Sequence, residues 1–203
     1  MTSLSALAGP IPTAEFPFAD FWSPESGAHS GRRTIISLGP EHLTVFRDLL
    51  LGLDAPCRLS RFASQLSDNG ILRHTEHAVR EAAWIAGFFT ANELCGVVEL
   101  YECRDPRDIE AAFAVASAWR RLGIGTALLF KAIEWAQLTR RSRLRMMFSR
   151  QNWPMRRLAS KANPDLDLDM DELIANVAIG DRRCGADTDQ HLRSKSRKYP
   201  QAS

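Results

Sequence analysis

The order of apolar and polar positions gives a readable run of elements from Thr34 onward. Thr34-Ile35-Ile36-Ser37-Leu38 predicts a strand, stopped by Gly39-Pro40. His42 to Leu53 predicts a helix with Leu43, Phe46, Leu49 and Leu50 on one face. A second, short helix is predicted from about Asp68 to His77. The period then changes to three extended segments, Ala82 to Phe89, Leu94 to Cys103 and Ile109 to Ser117, with turns at Thr90–Glu93 and Arg104–Asp108. Ile124 to Leu138 predicts a helix that is apolar nearly all round and therefore mostly buried. Leu144 to Phe148 predicts a strand. Asn152 and Pro154 mark the start of the next helix, with Met155, Leu158, Ala159 and Ala162 at helical spacing. Asp165-Leu166-Asp167-Leu168-Asp169 alternates as a strand, and Leu173 to Ile179 is the last extended run.

Strands that cluster around a few helices predict an α+β protein, a mixed and mostly antiparallel twisted sheet flanked by helices. The helix between the third meander strand and the Leu144 strand makes a β-α-β unit, and a crossover of that length favours parallel pairing. The expected domain spans residues 32–180. Residues 1–31 read as a poorly ordered arm that nevertheless carries Phe16, Phe18, Phe21 and Trp22, aromatics suited to docking on the body or on a second subunit in a homodimer. From Asp181 the chain reads as a mobile basic tail with Arg193, Lys195, Arg197 and Lys198.

Composition narrows the function classes. A chain of 203 residues with 45% hydrophobic and 25% charged residues is of ordinary globular type. No apolar run reaches the roughly 18–20 residues of a membrane span, and the N-terminus does not read as a secretory signal. A net charge of +2 argues against wholesale nucleic-acid binding. The arginines around the Leu144 strand, Arg140 to Arg157, come with Phe148 and Trp153 but with no RNP-like pattern, so nucleic acid is not the expected partner. Cys57, Cys95, Cys103 and Cys184 suit neither a zinc site nor a disulfide framework, so a reducing cytoplasm is the expected compartment. His74 and His77 lack a third metal ligand and read as exposed helix residues. Asp165, Asp167 and Asp169 read as a solvated strand face.

The candidate chemistry lies in Ala116-Ser117-Ala118-Trp119-Arg120-Arg121-Leu122-Gly123-Ile124-Gly125-Thr126. A turn with two arginines and two glycines opens the buried helix. Amides at a helix N-terminus have no intrahelical partner, the dipole favours negative charge, and glycine admits a close approach. This is a pyrophosphate cradle in outline. A dinucleotide fingerprint needs a third glycine, where Leu128 stands, and a P-loop needs G-K-[ST], so neither applies. The strand before the turn alternates Ile109, Ala111, Phe113 and Val115 with Glu110, Ala112, Ala114 and Ala116. The second row leaves room either for a ligand along the strand or for a tightly packed helix.

Arg120-Arg121-Leu122-Gly123-Ile124-Gly125 resembles the R/Q-x-x-G-x-G/A signature of the GNAT superfamily of N-acetyltransferases, between a strand and a helix as in that family. Asn152, Met155, Leu158 and Lys161 are similar to the family's later pattern, in which an Asn opens the fourth helix. The order of elements from about Arg33 to Gly180 is also similar. Arg58 and Arg61-Phe62 resemble the bacterial protein-lysine-acetyltransferase type. The resemblance implies a GNAT-like three-layer fold and acetyl-CoA as donor. The pyrophosphate would lie on the amides from Leu122 to Thr126, with Arg120, Arg121 and Asn152 beside the cofactor. The pantetheine arm would pair with the backbone of Val115 and Ala116. Glu110, ten residues before Arg120, stands where many members carry a general base. Two departures stand out: Lys161-Ala162-Asn163 replaces a frequent glycine, and neither Tyr101 nor Tyr199 matches the usual general acid.

The expected function is therefore acetyl transfer from acetyl-CoA to a primary amine, on a protein lysine or a small molecule. The alternative is a CoA-binding GNAT fold without turnover, acting as a regulatory or interaction module.

Overall fold

In the computed structural model, which describes residues 31–180, every strand joins one sheet. The strands are β1 (Arg33–Ser37), β2 (Trp84–Thr90), β3 (Glu93–Glu102), β4 (Asp108–Val115), β5 (Arg143–Ser149), β6 (Asp165–Asp169) and β7 (Glu172–Ala178). The helices are α1 (Leu43–Leu51), α2 (Ala55–Phe62), α3 (Asp68–Glu81), α4 (Ile124–Leu138) and α5 (Trp153–Ala159). The sheet order is β1-β2-β3-β4-β5-β7-β6, and every pairing is antiparallel except β4 with β5. The α+β class, the meander and the parallel β-α-β unit are as expected. The basic tail and all of the aromatic arm but Gly31 lie outside the described residues.

Two apolar clusters cover the two faces of the sheet. Leu128, Leu129, Ala132 and Trp135 of α4 pack with Ile109, Leu144 and their neighbours on one face. Phe46, Leu49 and Leu50 of α1 and Ile71 of α3 pack with Val97 and Ala114 on the other. Because the polar residues of α4 are few, chiefly Lys131, Glu134 and Gln137, it is held against the sheet along much of its surface.

The sequence predicts two helices between β1 and β2, and the structure has three. The extra one, α2, buries none of its residues, so no apolar stripe announces it. It is defined by its ends instead: Asp54 Oδ1 accepts from the Cys57 amide at 2.9 Å, and Ala63, at φ 52°, turns the chain out of the helix. Helix α3 also runs past the expected His77, because Thr75 and Ala78 extend its buried face. The first predicted helix begins as a 3-10 turn over Pro40–His42.

Gly96 on β3 is a close-approach position. A Cβ there would meet Ile124 Cγ2 at 3.0 Å, the Ala114 carbonyl at 3.1 Å and Val115 Cγ2 at 3.2 Å. Its missing side chain lets the first residue of α4 sit directly on the sheet. Gly96→Val is expected to lower stability by about 1–3 kcal/mol through overpacking. A fall in the urea midpoint with an unchanged slope would show it.

Candidate functional site

The parallel register of β4 and β5 holds for only Asp108↔Arg143, Ile109↔Leu144 and Glu110↔Arg145. Beyond it β4 continues to Val115 and β5 to Ser149 without pairing each other. β5 meanwhile stays paired with β7 over its whole length. The sheet is thus split by a wedge that widens toward the end of β4.

The backbone lining this wedge follows from alternation. Arg107 O accepts from the β5 side, from Ser142 N at 2.7 Å, while Ala116 N donates to Cys95 O of β3 at 3.0 Å. Odd-numbered residues of β4 therefore turn their N–H and C=O toward β5, and even-numbered ones toward β3. Past the last register pair, Phe113 and Val115 face the wedge. This revises the expectation for Ala116, whose amide is already held by β3.

Eight residues separate the end of β4 from α4, and they form the glycine turn. Three helices are capped by side chains: α2 by Asp54, α3 by Ser67 and α5 by Asn152. α4 opens at Gly123 with no side-chain cap. Its first intrahelical bond is Ala127 N to Gly123 O at 3.0 Å, so the amides of Ile124, Gly125 and Thr126 precede the ladder. Gly123, at φ 78°, needs glycine for its backbone, and Arg121 at φ 60° shares the left-handed region. Gly125 is different. It is helical, and a Cβ there would make only ordinary contact with the Leu158 methyls at 3.6 and 3.7 Å. Nothing in the contacts of the folded chain requires glycine at 125.

The remaining predicted residues divide. Leu122 is half-buried against the core and Ile124 is buried. Arg121 is exposed. Arg120 lies back on the protein: Nε donates to Val115 O at 3.3 Å and Nη2 to Asp54 Oδ2 at 3.2 Å. It thereby ties α2 to the end of β4. Asn152 Oδ1 accepts from Met155 N at 3.1 Å, which caps α5. Arg156 stacks over Trp153 at 4.4 Å.

Glu110 is half-buried on the α1–α3 side, with Tyr101 as its register partner on β3 and Arg145 on β5. The alanine row behind it does not form an open channel. Ala114 is buried in the α1–α3 cluster and Ala112 is the register partner of Glu99, so helix packing is what the small side chains allow.

Glu99 was not singled out in the sequence, although a lone carboxylate inside Cys95–Leu100 was a signal. It is fully buried. Arg61 Nη2 donates to its Oε1 at 2.5 Å, and His74 Nε2 and Tyr101 Oη donate to Oε2 at 2.8 and 2.7 Å. Burial alone would raise its pKa. The charge of Arg61 and the bonds from His74 and Tyr101 outweigh burial and hold it down at about 2. Burial and the Glu99 charge push the Tyr101 phenol far above its usual range, making it a poor acid. His74, expected to be exposed, is thus drawn inward. Arg61 and Arg58 are structural: Arg58 donates to the Leu51 and Leu53 carbonyls and to Asp68. Among the described residues no group of three or more His, Cys, Asp or Glu side chains is placed to hold a metal ion, and no helix is long and apolar enough to cross a membrane.

Residues 50–161 match the sequence model of the family described as acetyltransferase (GNAT) family. No curated protein matches the chain. Solved structures share the fold at low identity. A GNAT-family acetyltransferase from Streptococcus pneumoniae is 16% identical with a TM-score of 0.58, covering 73% of this chain and 100% of its own. The GNAT domain of PAT from S. lividans is 15% identical with a TM-score of 0.60, covering 76% and 99%. The PaiA N-acetyltransferase from Thermoplasma acidophilum, solved with coenzyme A, is 16% identical with a TM-score of 0.57, covering 72% and 99%.

The Glu99 cluster predicts an acid response. Because its folded pKa lies below the ordinary 4.5, the ionised carboxylate stabilises the fold fully above that value and loses this contribution as pH falls through about 2. Glu99→Gln leaves Arg61 buried without a counter-charge and is expected to cost about 3–5 kcal/mol at neutral pH. Urea unfolding of both proteins between pH 7 and pH 2 checks this, and the gap between them should narrow toward the acid end.

Proposed function

The chain belongs to the acetyltransferase (GNAT) family and is an acyltransferase with acetyl-CoA as cosubstrate, and we propose that it acetylates a primary amine in the wedge between β4 and β5. The observation that carries this reading is the meeting of two unsatisfied backbone rows. One is the edge of β4 at Phe113 and at the Val115 N–H, the Val115 carbonyl being held by Arg120 Nε at 3.3 Å. The other is the uncapped start of α4 at Ile124, Gly125 and Thr126.

These residues fit the cosubstrate. The α4 amides and the dipole behind them suit its pyrophosphate, with Gly125 admitting it to the backbone. The open edge of β4 suits an amide-bearing chain that pairs like a strand, with Val115 as the lining residue and Ala116 behind it. Asn152, at the start of α5, offers its –NH2. Acetyl-CoA supplies an activated acetyl thioester, whose carbon passes to the amine nitrogen as the C–S bond breaks.

The chain's own groups do the rest. An ammonium with pKa roughly 10.4 must lose a proton before it can attack. Glu110 is the half-buried carboxylate where the strands begin to part, and it accepts that proton directly or through a water. The Phe113 amide, turned into the wedge, donates to oxygen there. A thiol leaving group has pKa roughly 8.5 and needs little acid help, which accords with Tyr101 being held by Glu99. The test of function is thiol release from acetyl-CoA with a panel of amines and lysine peptides, with product mass confirming one added acetyl group. No turnover with any amine would contradict it.

Glu110→Gln is expected to keep acetyl-CoA affinity and to lose about 10²–10⁴-fold in kcat. A rate near wild type with an unchanged pH profile would remove Glu110 from proton transfer.

Gly125→Ala should separate folding from binding. Without ligand, stability is expected to stay level or to rise by up to about 1 kcal/mol, since a helical glycine gains from a Cβ. CoA binding is expected to weaken by about tenfold, or roughly 1.4 kcal/mol. Thermal unfolding and calorimetric titration of the same variant check both halves.

A further inference from the structure

Glu110 lies on the face of the sheet opposite α4 and α5, the face that α1 and α3 share. On that face the cross-strand register runs from Glu110 on β4 to Arg145 on β5, Asn176 on β7 and Asp165 on β6. Asp167 and Asp169 follow on the same side of β6, and all of β6 is exposed. Asn176 is the unusual member of the row. It is 8% exposed, its Nδ2 donates to Asp167 Oδ2 at 2.7 Å, and its Oδ1 is buried without a hydrogen-bond partner. An unsatisfied buried acceptor beside two carboxylates lacks a donor, and the donor those carboxylates favour is a cation. Arg145, the register neighbour of Asn176 on β5, does not supply it, since that oxygen has no hydrogen-bond partner.

We propose that this row selects the acceptor: an amine that carries a second protonated nitrogen. The reacting nitrogen lies at Glu110, and the second cation is held by Asn176 Oδ1, Asp165 and Asp167. Two interstrand spacings separate Glu110 from Asn176, about 10 Å. A linear polyamine spans that distance, and so does a lysine in a peptide with a second basic side chain close by. The shared chemistry is the paired cation. The inference rests on the acetyl-transfer reading for the first nitrogen only, since the second subsite binds without reacting.

Calorimetry on the CoA-loaded protein tests it independently of turnover. Spermidine is compared with n-butylamine, and a lysine peptide with arginine three residues on is compared with its alanine counterpart. At least one dication is expected to bind tenfold or more tighter than its monocationic partner, and which pair shows the preference identifies the source. The double variant Asp165→Asn/Asp167→Asn, at exposed positions, is expected to abolish the preference. Asn176→Leu is expected to reduce it, with the melting temperature reporting whether that variant is folded. Equal affinities within both pairs, or a preference unchanged in the double variant, would overturn the proposal. Preferential dication binding without acetyl transfer to any amine would support the subsite and contradict the reaction.

Discussion

The site depends on one interruption: β4 and β5 pair for three residues and then part. A sheet normally satisfies each backbone group with its neighbour. Here β5 stays with β7, so β4 keeps an open edge in the middle of the sheet. The chain then turns through Gly123 into a helix whose first amides are equally uncapped. Two separate local features, a strand edge and a helix start, become one surface because only eight residues join them.

The rest of the fold holds that surface in place from both faces. Gly96 lets Ile124 rest on β3, which fixes where α4 begins. On the other face, Arg120 links Asp54 of α2 to the last carbonyl of β4. Deeper in, Arg61 and His74 bring α2 and α3 onto Glu99 of β3. A buried charge is tolerated only when it is paired and hydrogen-bonded, so this cluster demands one arrangement of the helices over the sheet. Glu110 lies beside it, across the strand from Tyr101. Both oxygens of Glu99 are engaged by Arg61, His74 and Tyr101, so the cluster fixes the wall beside Glu110.

Much of this was legible in the sequence where a residue's role is local. The all-round apolar run from Ile124 to Leu138, the two glycines before it and the strand ending at Val115 each carry their own signal. The family resemblance joined them into one unit, and the family itself is shown. What escaped the sequence depends on partners far along the chain. Helix α2 has no apolar stripe and exists through its Asp54 cap and the bonds of Arg58 and Arg61. Glu99 reads as an oddity in an apolar strand until Arg61 and His74 are brought over it. Arg120 looks like a phosphate ligand in the motif and is held by Asp54 in space. The alanines of β4 were compatible with a ligand or a helix, and only the packing of α1 and α3 decides for the helix. The orphaned oxygen of Asn176 is likewise a property of the register, invisible in a stretch that reads as an ordinary strand.

The central claim is that the open edge of β4 and the uncapped start of α4 act together as the cosubstrate's site. Amide hydrogen exchange with and without CoA tests it at the level of the groups concerned. Slowed exchange is expected at Phe113 and Val115 and at Ile124, Gly125 and Thr126 together, with Ala116 little changed because β3 already holds its amide. Binding of CoA that left both rows unprotected, or that protected a different surface, would contradict the account.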